Sequence, residues 1–339
     1  MHRCSFIAAL AFAALIHAPA HAASAAKPSD ANLAGIEAFL SQPEAKIDVA
    51  KAILEIDKMV DPSVDPAASL REIDKMASDI QSRLPPGARS GDKLDALRAQ
   101  IYQAGPWNQY KPFSYDLDDP FGKVIENKLL SHYLASRKGN CVSMPLLFVA
   151  LGQRIGLDVT AASAPEHVFV KFRDEKGVYY NIEATSGANF ARDSWMRQQS
   201  PEITDKSIAS GAYMRPLSRR ETVALAADVL AEQYAQRKQE ERRIALSKAE
   251  LAAYPNYIPA MLHISSANYR MRKAEFVDKY PRPSDIPPEL RERFAQLDSE
   301  MARWQGKARD AGWIRPDEAD RIRYEKVVGK AKAELAKQQ

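Results

Sequence analysis

Residues 139–172 read GNCVSMPLLFVALGQRIGLDVTAASAPEHVFVKF, and this stretch decides the fold class. Pro145 lacks a backbone N–H, so it is comfortable only in the first turn of a helix. Because the residues after it are almost wholly apolar, we expect a buried helix over about 144–155. Three short strand-like runs follow, and a helix beside a small sheet predicts an α+β core. These runs cover residues 157–163, 166–173 and 178–184.

The predicted helix places Cys141 at its N-terminal end. There the helix dipole and the unpaired backbone N–H groups favour an anion, and so favour the thiolate form of a cysteine. The same N–H groups can stabilise an oxyanion that forms next to the sulfur. Gly139 and Asn140 suit a tight turn that leads into the helix. The alternative is that Cys141 is a small buried hydrophobic residue. Its position in the sequence is compatible with both the reactive and the structural role.

His167 and Glu183 are predicted to share one face of a hairpin. Alternation in HVFVKF and in VYYNIEAT directs every second side chain to the same face. If all five residues of RDEKG form the loop, His167 lies directly opposite Glu183. A three-residue loop moves Glu183 to a diagonal position that is still within reach. An even-numbered loop would place the two side chains on opposite faces.

Together, these three residues form a candidate catalytic set. A thiolate nucleophile needs a base, and the base needs an acceptor that orients it, so we predict Cys141 as nucleophile, His167 as base and Glu183 as orienter. Taken singly, His167 is also compatible with a structural histidine at a strand end, and Glu183 with an exposed carboxylate. We expect His132 to pack between helices and His263 to lie in a core or groove. The sequence shows neither zinc-ligand spacing nor a phosphate-binding glycine loop, so we expect no metal and no cofactor.

The N-terminal segment, MHRCSFIAALAFAALIHAPAHA, has the composition of a signal peptide. Arg3 precedes an apolar stretch, and Ala20-His21-Ala22 forms a small-x-small cleavage site. Removal of residues 1–22 takes away one of the two cysteines and three of the six histidines of the chain. No later stretch reaches the length of a membrane span. We therefore expect a periplasmic or secreted protein without an integral membrane segment.

Helical patterns dominate the rest of the 339-residue chain. The net charge of +4, from 48 Lys+Arg and 44 Asp+Glu, is too balanced to indicate a nucleic-acid partner. After the core, the Ala245…Ala249…Pro255 pattern resembles a tetratricopeptide repeat of little more than one copy, which must pack on something else. The expected organisation is a signal peptide at 1–22, a helical region at 23–104, the core at 105–215 and a helical region at 216–339 with a tetratricopeptide-like pair at about 220–273.

The core motifs GNCVSMPLLFVALGQRIGLDV, APEHVFVKF and YYNIEAT resemble the transglutaminase-like superfamily. That family has a papain-like core with a Cys-His-Asp triad, and a bacterial branch adds helices before and after it. The resemblance covers about residues 45–275 and implies Cys141 as nucleophile, His167 as base and Glu183 in place of the usual Asp. It leaves the side chain of the oxyanion hole open among Asn127, Trp107 and Asn108.

Two functions follow from these observations. The first is an exported thiol enzyme for acyl transfer at an amide, with hydrolysis favoured over crosslinking and a peptide, protein or cell-wall peptide as substrate. The second is a catalytically silent scaffold that binds a protein or peptide through its helical C-terminal half. Retention of Cys141 favours the enzyme, because many members of the bacterial branch lack that cysteine.

Overall fold

The computed structural model describes residues 30–200 and 202–319, together with residues 322, 325–326 and 329–330. The signal peptide predicted over residues 1–22 lies outside the described residues. The sequence pattern also predicts a helix over about 316–337, and most of that range lies outside the described residues. In the described part, no helix is both long and apolar enough to cross a membrane.

Four helices precede the core, and three of them begin at an aspartate whose carboxylate accepts a backbone N–H of the first turn. The capping contacts join Asp30 to Asn32 (3.1 Å), Asp48 to Lys51 (3.1 Å) and Asp65 to Ala68 (3.0 Å). These helices bury apolar side chains against one another and against the core. They are α1 (Ala31–Leu40), α2 (Val49–Val60), α3 (Pro66–Ser82) and α4 (Ser90–Tyr102).

The sequence pattern of residues 123–136 predicts one long helix, and this prediction is wrong in its first half. Residues 125–128 form only a 3-10 turn, and the helix α5 covers Leu130–Ser136. The Asp119 carboxylate accepts the backbone N–H groups of Lys123 (2.8 Å) and Val124 (3.0 Å), which holds this segment as a loop. The pattern of apolar residues in the sequence does not reveal that the Asp119 side chain accepts these backbone N–H groups.

The core consists of one buried helix and an antiparallel sheet, so the predicted α+β class is confirmed. The helix α6 covers Ser143–Arg154 and is buried over most of its length. Gly152 allows its close approach to the sheet, because a Cβ there would lie 2.4 Å from Cγ2 of Val159. The strands, in spatial order, are β3 (Val159–Ala164), β4 (His167–Arg173), β5 (Tyr179–Glu183) and β6 (Asn189–Ala191). A separate parallel bridge joins β1 (Ser114–Tyr115) to β2 (Lys138–Gly139) just before the cysteine.

The sheet is covered on both faces by apolar side chains. Val168 and Val170 of β4 pack in the cluster that contains α6 and the N-terminal helices. Phe169, which points to the other face, packs with Met196 and Met261 from later helices. His167 shares the face of Phe169, because successive residues of a strand alternate between faces.

The helices after the sheet complete the second face and extend beyond it. Residues 212–217 also cover the outer edge of β3, where the amides of Met214 and Leu217 donate to carbonyls of that strand (3.0 and 2.9 Å). The tetratricopeptide likeness and the predicted domain boundaries stay predictions. The later helices are α7 (Asp193–Gln199), α8 (Asp205–Ala209), α9 (Arg219–Gln236), α10 (Glu240–Ala253), α11 (Ile258–Arg272) and α12 (Arg291–Asp310).

Candidate active site

Cys141 lies two residues before α6, at the point where Asn140 caps that helix. The Asn140 side-chain oxygen accepts the N–H groups of Val142 (2.9 Å) and Ser143 (3.3 Å), and its carbonyl accepts that of Met144 (3.1 Å). The Ser143 hydroxyl in turn accepts the Asn140 N–H at 3.1 Å. The expectation that the helix N–H groups are free beside the thiol is therefore wrong for these three amides. The signal for this cap was a polar residue three positions after Asn140, the spacing of a capping box.

The thiol of Cys141 is partly exposed and faces the turn between β3 and β4. Its sulfur lies 3.7 Å from the carbonyl oxygen of Glu166, to which the thiol donates. Pro165 and Glu166 form this two-residue turn, since Ala164 pairs with His167 across it. Glu166 adopts a left-handed conformation with φ of 53°. The turn brings the first residue of β4, His167, next to the N-terminal end of α6.

His167 and Glu183 are in direct contact. Nε2 of the imidazole lies 2.7 Å from a carboxylate oxygen of Glu183, and the histidine side chain is 25 % exposed. Since Nε2 is engaged by the carboxylate, Nδ1 is the ring nitrogen left for the sulfur. The predicted shared face is thus observed, and the structure brings Cys141, His167 and Glu183 together.

The register of the hairpin differs by two residues from the direct pairing. Arg173 pairs with Tyr179, so the loop contains residues 174–178 instead of 173–177. Asp174 sets this loop, because its carboxylate accepts the N–H groups of Lys176 (2.9 Å) and Val178 (2.8 Å). Glu183 is consequently diagonal to His167, so the predicted diagonal alternative is confirmed and the direct pairing is wrong.

The Glu183 carboxylate is held from two sides in a buried position. Besides His167, it accepts from the backbone N–H (3.1 Å) and the hydroxyl (2.7 Å) of Thr185. Burial raises the pKa of Glu183, but the charge and hydrogen bond of His167 and the two bonds from Thr185 outweigh it, so the pKa is lowered. Thr185 was missed in the sequence, although a hydroxyl residue two positions after an acid is a usual partner for it.

His167 is held as an imidazolium. Burial acts to lower its pKa, but the charge of Glu183 and hydrogen bonds with Cys141 and Glu183 raise the pKa of His167 to about 10. The imidazole is therefore protonated at neutral pH, beside a carboxylate and a thiol. This arrangement can stabilise a thiolate. It can also donate a proton to the leaving group of a substrate that the sulfur attacks.

The three side chains considered for the oxyanion hole are used elsewhere in the fold. The side-chain N–H of Asn127 donates to the Asp119 carboxylate (3.0 Å). That of Trp107 donates to the Ala99 carbonyl (3.0 Å), and that of Asn108 donates to the Gln103 carbonyl (2.7 Å). Among the described residues, the backbone N–H of Cys141 itself has no acceptor. That N–H belongs to the same residue as the sulfur and is free to donate to an oxyanion.

The other two histidines lie away from the thiol. His132 does not pack between helices as expected: it is exposed on α5 and lines a shallow cleft of about 220 Å³ with Asp61 and Asp65. His263 is part of a polar network between helices, with Nε2 2.8 Å from Asp228 and Nδ1 accepting from Arg243 at 3.0 Å. In the described part of the chain, no group of three or more His, Cys, Asp or Glu side chains is arranged to hold a metal ion.

Comparison with known proteins gives one family. Residues 67–226 match the family model described as the transglutaminase-like superfamily, and the match includes Cys141, His167 and Glu183. No curated protein and no solved structure matches the chain.

Proposed function

We propose that this chain is a cysteine-dependent enzyme for acyl transfer at an amide, since residues 67–226 match the model of the transglutaminase-like superfamily. Cys141 is the nucleophile, His167 the acid and base, and Glu183 the residue that orients the imidazole. The observation that carries the proposal is the 2.7 Å contact between His167 and Glu183 beside a partly exposed thiol.

The first half of the reaction uses the imidazolium. An imidazolium beside the sulfur favours the thiolate, which attacks the amide carbon and forms the C–S bond. Negative charge moves to the carbonyl oxygen, where the N–H of Cys141 donates to it. The C–N bond then breaks, and the amine leaves with the proton of His167 Nδ1, which yields a thioester and a neutral imidazole.

The second half returns the enzyme to its starting state. The neutral imidazole takes a proton from water as the water oxygen attacks the thioester carbon. The C–S bond breaks, the product leaves as a carboxylic acid, and the thiolate and imidazolium are restored. An amine in place of water would give crosslinking; we favour hydrolysis, because an exported enzyme meets abundant water and peptide-bearing wall polymers.

Export is part of the proposal and has its own test. N-terminal sequencing of the protein recovered from the cell envelope should begin at Ala23, after cleavage that follows Ala22. A mature chain that still begins at Met1 and stays in the cytoplasm would remove this part of the proposal and leave the chemistry standing.

The enzymatic activity is tested by trapping the acyl group. The protein is incubated with a set of peptide amides and analysed by intact mass, with a Cys4→Ser background so that Cys141 is the remaining thiol. We expect an acyl adduct on the parent chain and none on Cys141→Ala. Absence of adduct and of cleaved product for every amide, with the thiol intact, would contradict the proposal.

One observation favours the second function, a catalytically silent scaffold. All three side-chain donors considered for an oxyanion in the sequence are bound within the fold, so none of them is available for that role. A scaffold would bind a protein or peptide through the helices after residue 216. It would bind that partner equally well as Cys141→Ala and would form no thioester, whereas the enzyme requires the thiol.

A further inference from the structure

Glu166 occupies a backbone position that disfavours its side chain. It follows Pro165 in the turn between β3 and β4, and its φ of 53° lies in the left-handed region. Glycine and asparagine adopt this region readily, whereas other residues are strained there. Strained backbone positions cluster at functional sites, and this one lies next to the thiol of Cys141.

The Glu166 carboxylate lies close to the nucleophile and is exposed. The carbonyl of the same residue is 3.7 Å from the sulfur of Cys141, and bond lengths then place the carboxylate within roughly 10 Å of the sulfur. That distance is about one Debye length at physiological salt, so the charge acts on molecules that approach the thiol. In the described part of the chain, this carboxylate has neither an ion pair nor a hydrogen bond.

A second acid contributes charge to the same side of the sheet. Burial raises the pKa of Tyr213, and the charges of Tyr254, Glu202 and Glu166 add to that shift. Glu202 and Glu166 therefore both act on the Tyr213 hydroxyl, on the face of the sheet that His167 shares. Of the two, Glu166 directly precedes the catalytic histidine in the chain.

We infer that Glu166 selects substrates that carry an aliphatic ammonium group beside the reacting amide, such as a lysine-like or diamino-acid side chain. The inference rests on the proposed function and names a substrate class for the same site. The imidazolium of His167 is already neutralised by the Glu183 carboxylate. The remaining charges of the proposed site, the Cys141 thiolate and the exposed Glu166 carboxylate, are both negative, so Glu166 adds to the attraction of cations and the repulsion of anions.

The test measures how the charge of a small reagent changes its rate of reaction with Cys141. The reagents are methanethiosulfonates that carry a trimethylammonium group, a sulfonate group or no charge, used on chains with Cys4→Ser. Glu166→Gln removes the charge and retains the shape of the side chain. Glu289→Gln is the matched control, since Glu289 is exposed on the 3-10 turn Pro288–Leu290 in the C-terminal helical region.

We expect the ratio of the cationic to the anionic rate to fall about four-fold at low salt in Glu166→Gln, from one unit charge acting across about 10 Å. The ratio should stay at the parent value in Glu289→Gln, and the rate with the neutral reagent should stay unchanged in both variants. High salt should reduce the parent ratio toward that of Glu166→Gln. An unchanged ratio in Glu166→Gln would overturn the inference.

Two further measurements keep the result interpretable. If Glu166→Gln does not fold, Glu166→Asn, which suits the left-handed conformation, replaces it with the same expectation. With amide substrates, Glu166→Gln should lose the preference for lysine over norleucine next to the cleaved bond. The reagent rates do not depend on catalytic turnover. A failure of the enzymatic proposal therefore appears with the amide substrates, and a failure of the charge preference appears in the reagent rates.

Discussion

Glu183 contacts His167 at 2.7 Å from a diagonal position across the hairpin, not from the position directly opposite. The side chain of glutamate is one methylene longer than that of aspartate, and this extra length suits the diagonal path. The presence of Glu at position 183, where the resemblance implies an Asp, therefore has a physical reason in the register of this sheet. Asp174, which sets the loop and hence the register, is the residue that makes a glutamate appropriate at position 183.

The first prediction concerns the charge of Glu183. Glu183→Gln removes the carboxylate whose charge raises the pKa of His167, while the burial that lowers the pKa remains. The midpoint of His167, followed by NMR of the imidazole, should fall from about 10 toward its ordinary value of 6.5, with the contribution of Cys141 retained. Glu183→Asp is the informative second variant. It keeps the negative charge, but its side chain is one methylene shorter and does not reach the imidazole of His167 from the diagonal position. We expect an intermediate midpoint for it, and a midpoint equal to the parent's would contradict the diagonal contact.

The second prediction is a pH dependence of stability. The pKa of His167 is raised from 6.5 to about 10 on folding, so its contribution is complete below pH 6.5 and is lost as the pH rises toward 10. The pKa of Glu183 is lowered from 4.5, so its contribution is complete above that pH and is lost under more acidic conditions. Urea unfolding should therefore show the largest destabilisation by His167→Ala near pH 6, about 3 kcal/mol, because a buried carboxylate loses its partner. A destabilisation as large at pH 10 as at pH 6 would contradict this linkage.

The third prediction concerns two roles of Asn140, which caps the helix α6 and anchors the turn that positions the sulfur of Cys141. Asn140→Ala removes the acceptor of two helix N–H groups and should lower the free energy of unfolding by about 1–2 kcal/mol. It should also slow alkylation of Cys141, because the turn that positions the sulfur loses its anchor. Asp65→Ala is the matched control: it removes the cap of α3 with a similar effect on stability and should leave the alkylation rate unchanged. Equal alkylation rates in both variants would assign Asn140 a purely structural role.

The fourth prediction concerns the strain at Glu166. Glycine adopts a φ of 53° without penalty, so Glu166→Gly should raise the free energy of unfolding by about 1 kcal/mol. Thermal or urea unfolding measures this gain, and the same variant should lose the charge preference of the thiol. A stabilised variant with an unaltered preference for cationic reagents would show that the charge of Glu166 has no part in selection.

Sequence patterns predict those parts of this fold that depend on local rules. Pro145 and the apolar run locate α6, and the Asp30 and Asp65 caps locate two helix starts. The period of a strand places His167 and Glu183 on one face whichever odd loop forms. These features need only the side chain and its near neighbours.

The remaining features depend on contacts between distant or competing groups. The loop at 123–129 is set by the Asp119 carboxylate, and α5 starts where the buried carboxylate of Asp57 accepts the N–H of Ser131 at 2.7 Å. The short strand β6, whose Asn189 pairs with Glu183, has no clear pattern of its own. Likewise, the choice among oxyanion donors depended on which N–H groups the fold uses internally, and that becomes visible only after folding.

The most direct test of the central claim, an activated thiol at Cys141, is its rate of alkylation by iodoacetamide at pH 6. Free cysteine, with a pKa near 8.5, is almost wholly protonated at that pH and reacts slowly. The pairing with His167 predicts that Cys141 reacts at least about 10-fold faster than free cysteine, and that His167→Ala loses this advantage. A parent thiol that reacts no faster than free cysteine, or equally fast with and without His167, would contradict the account.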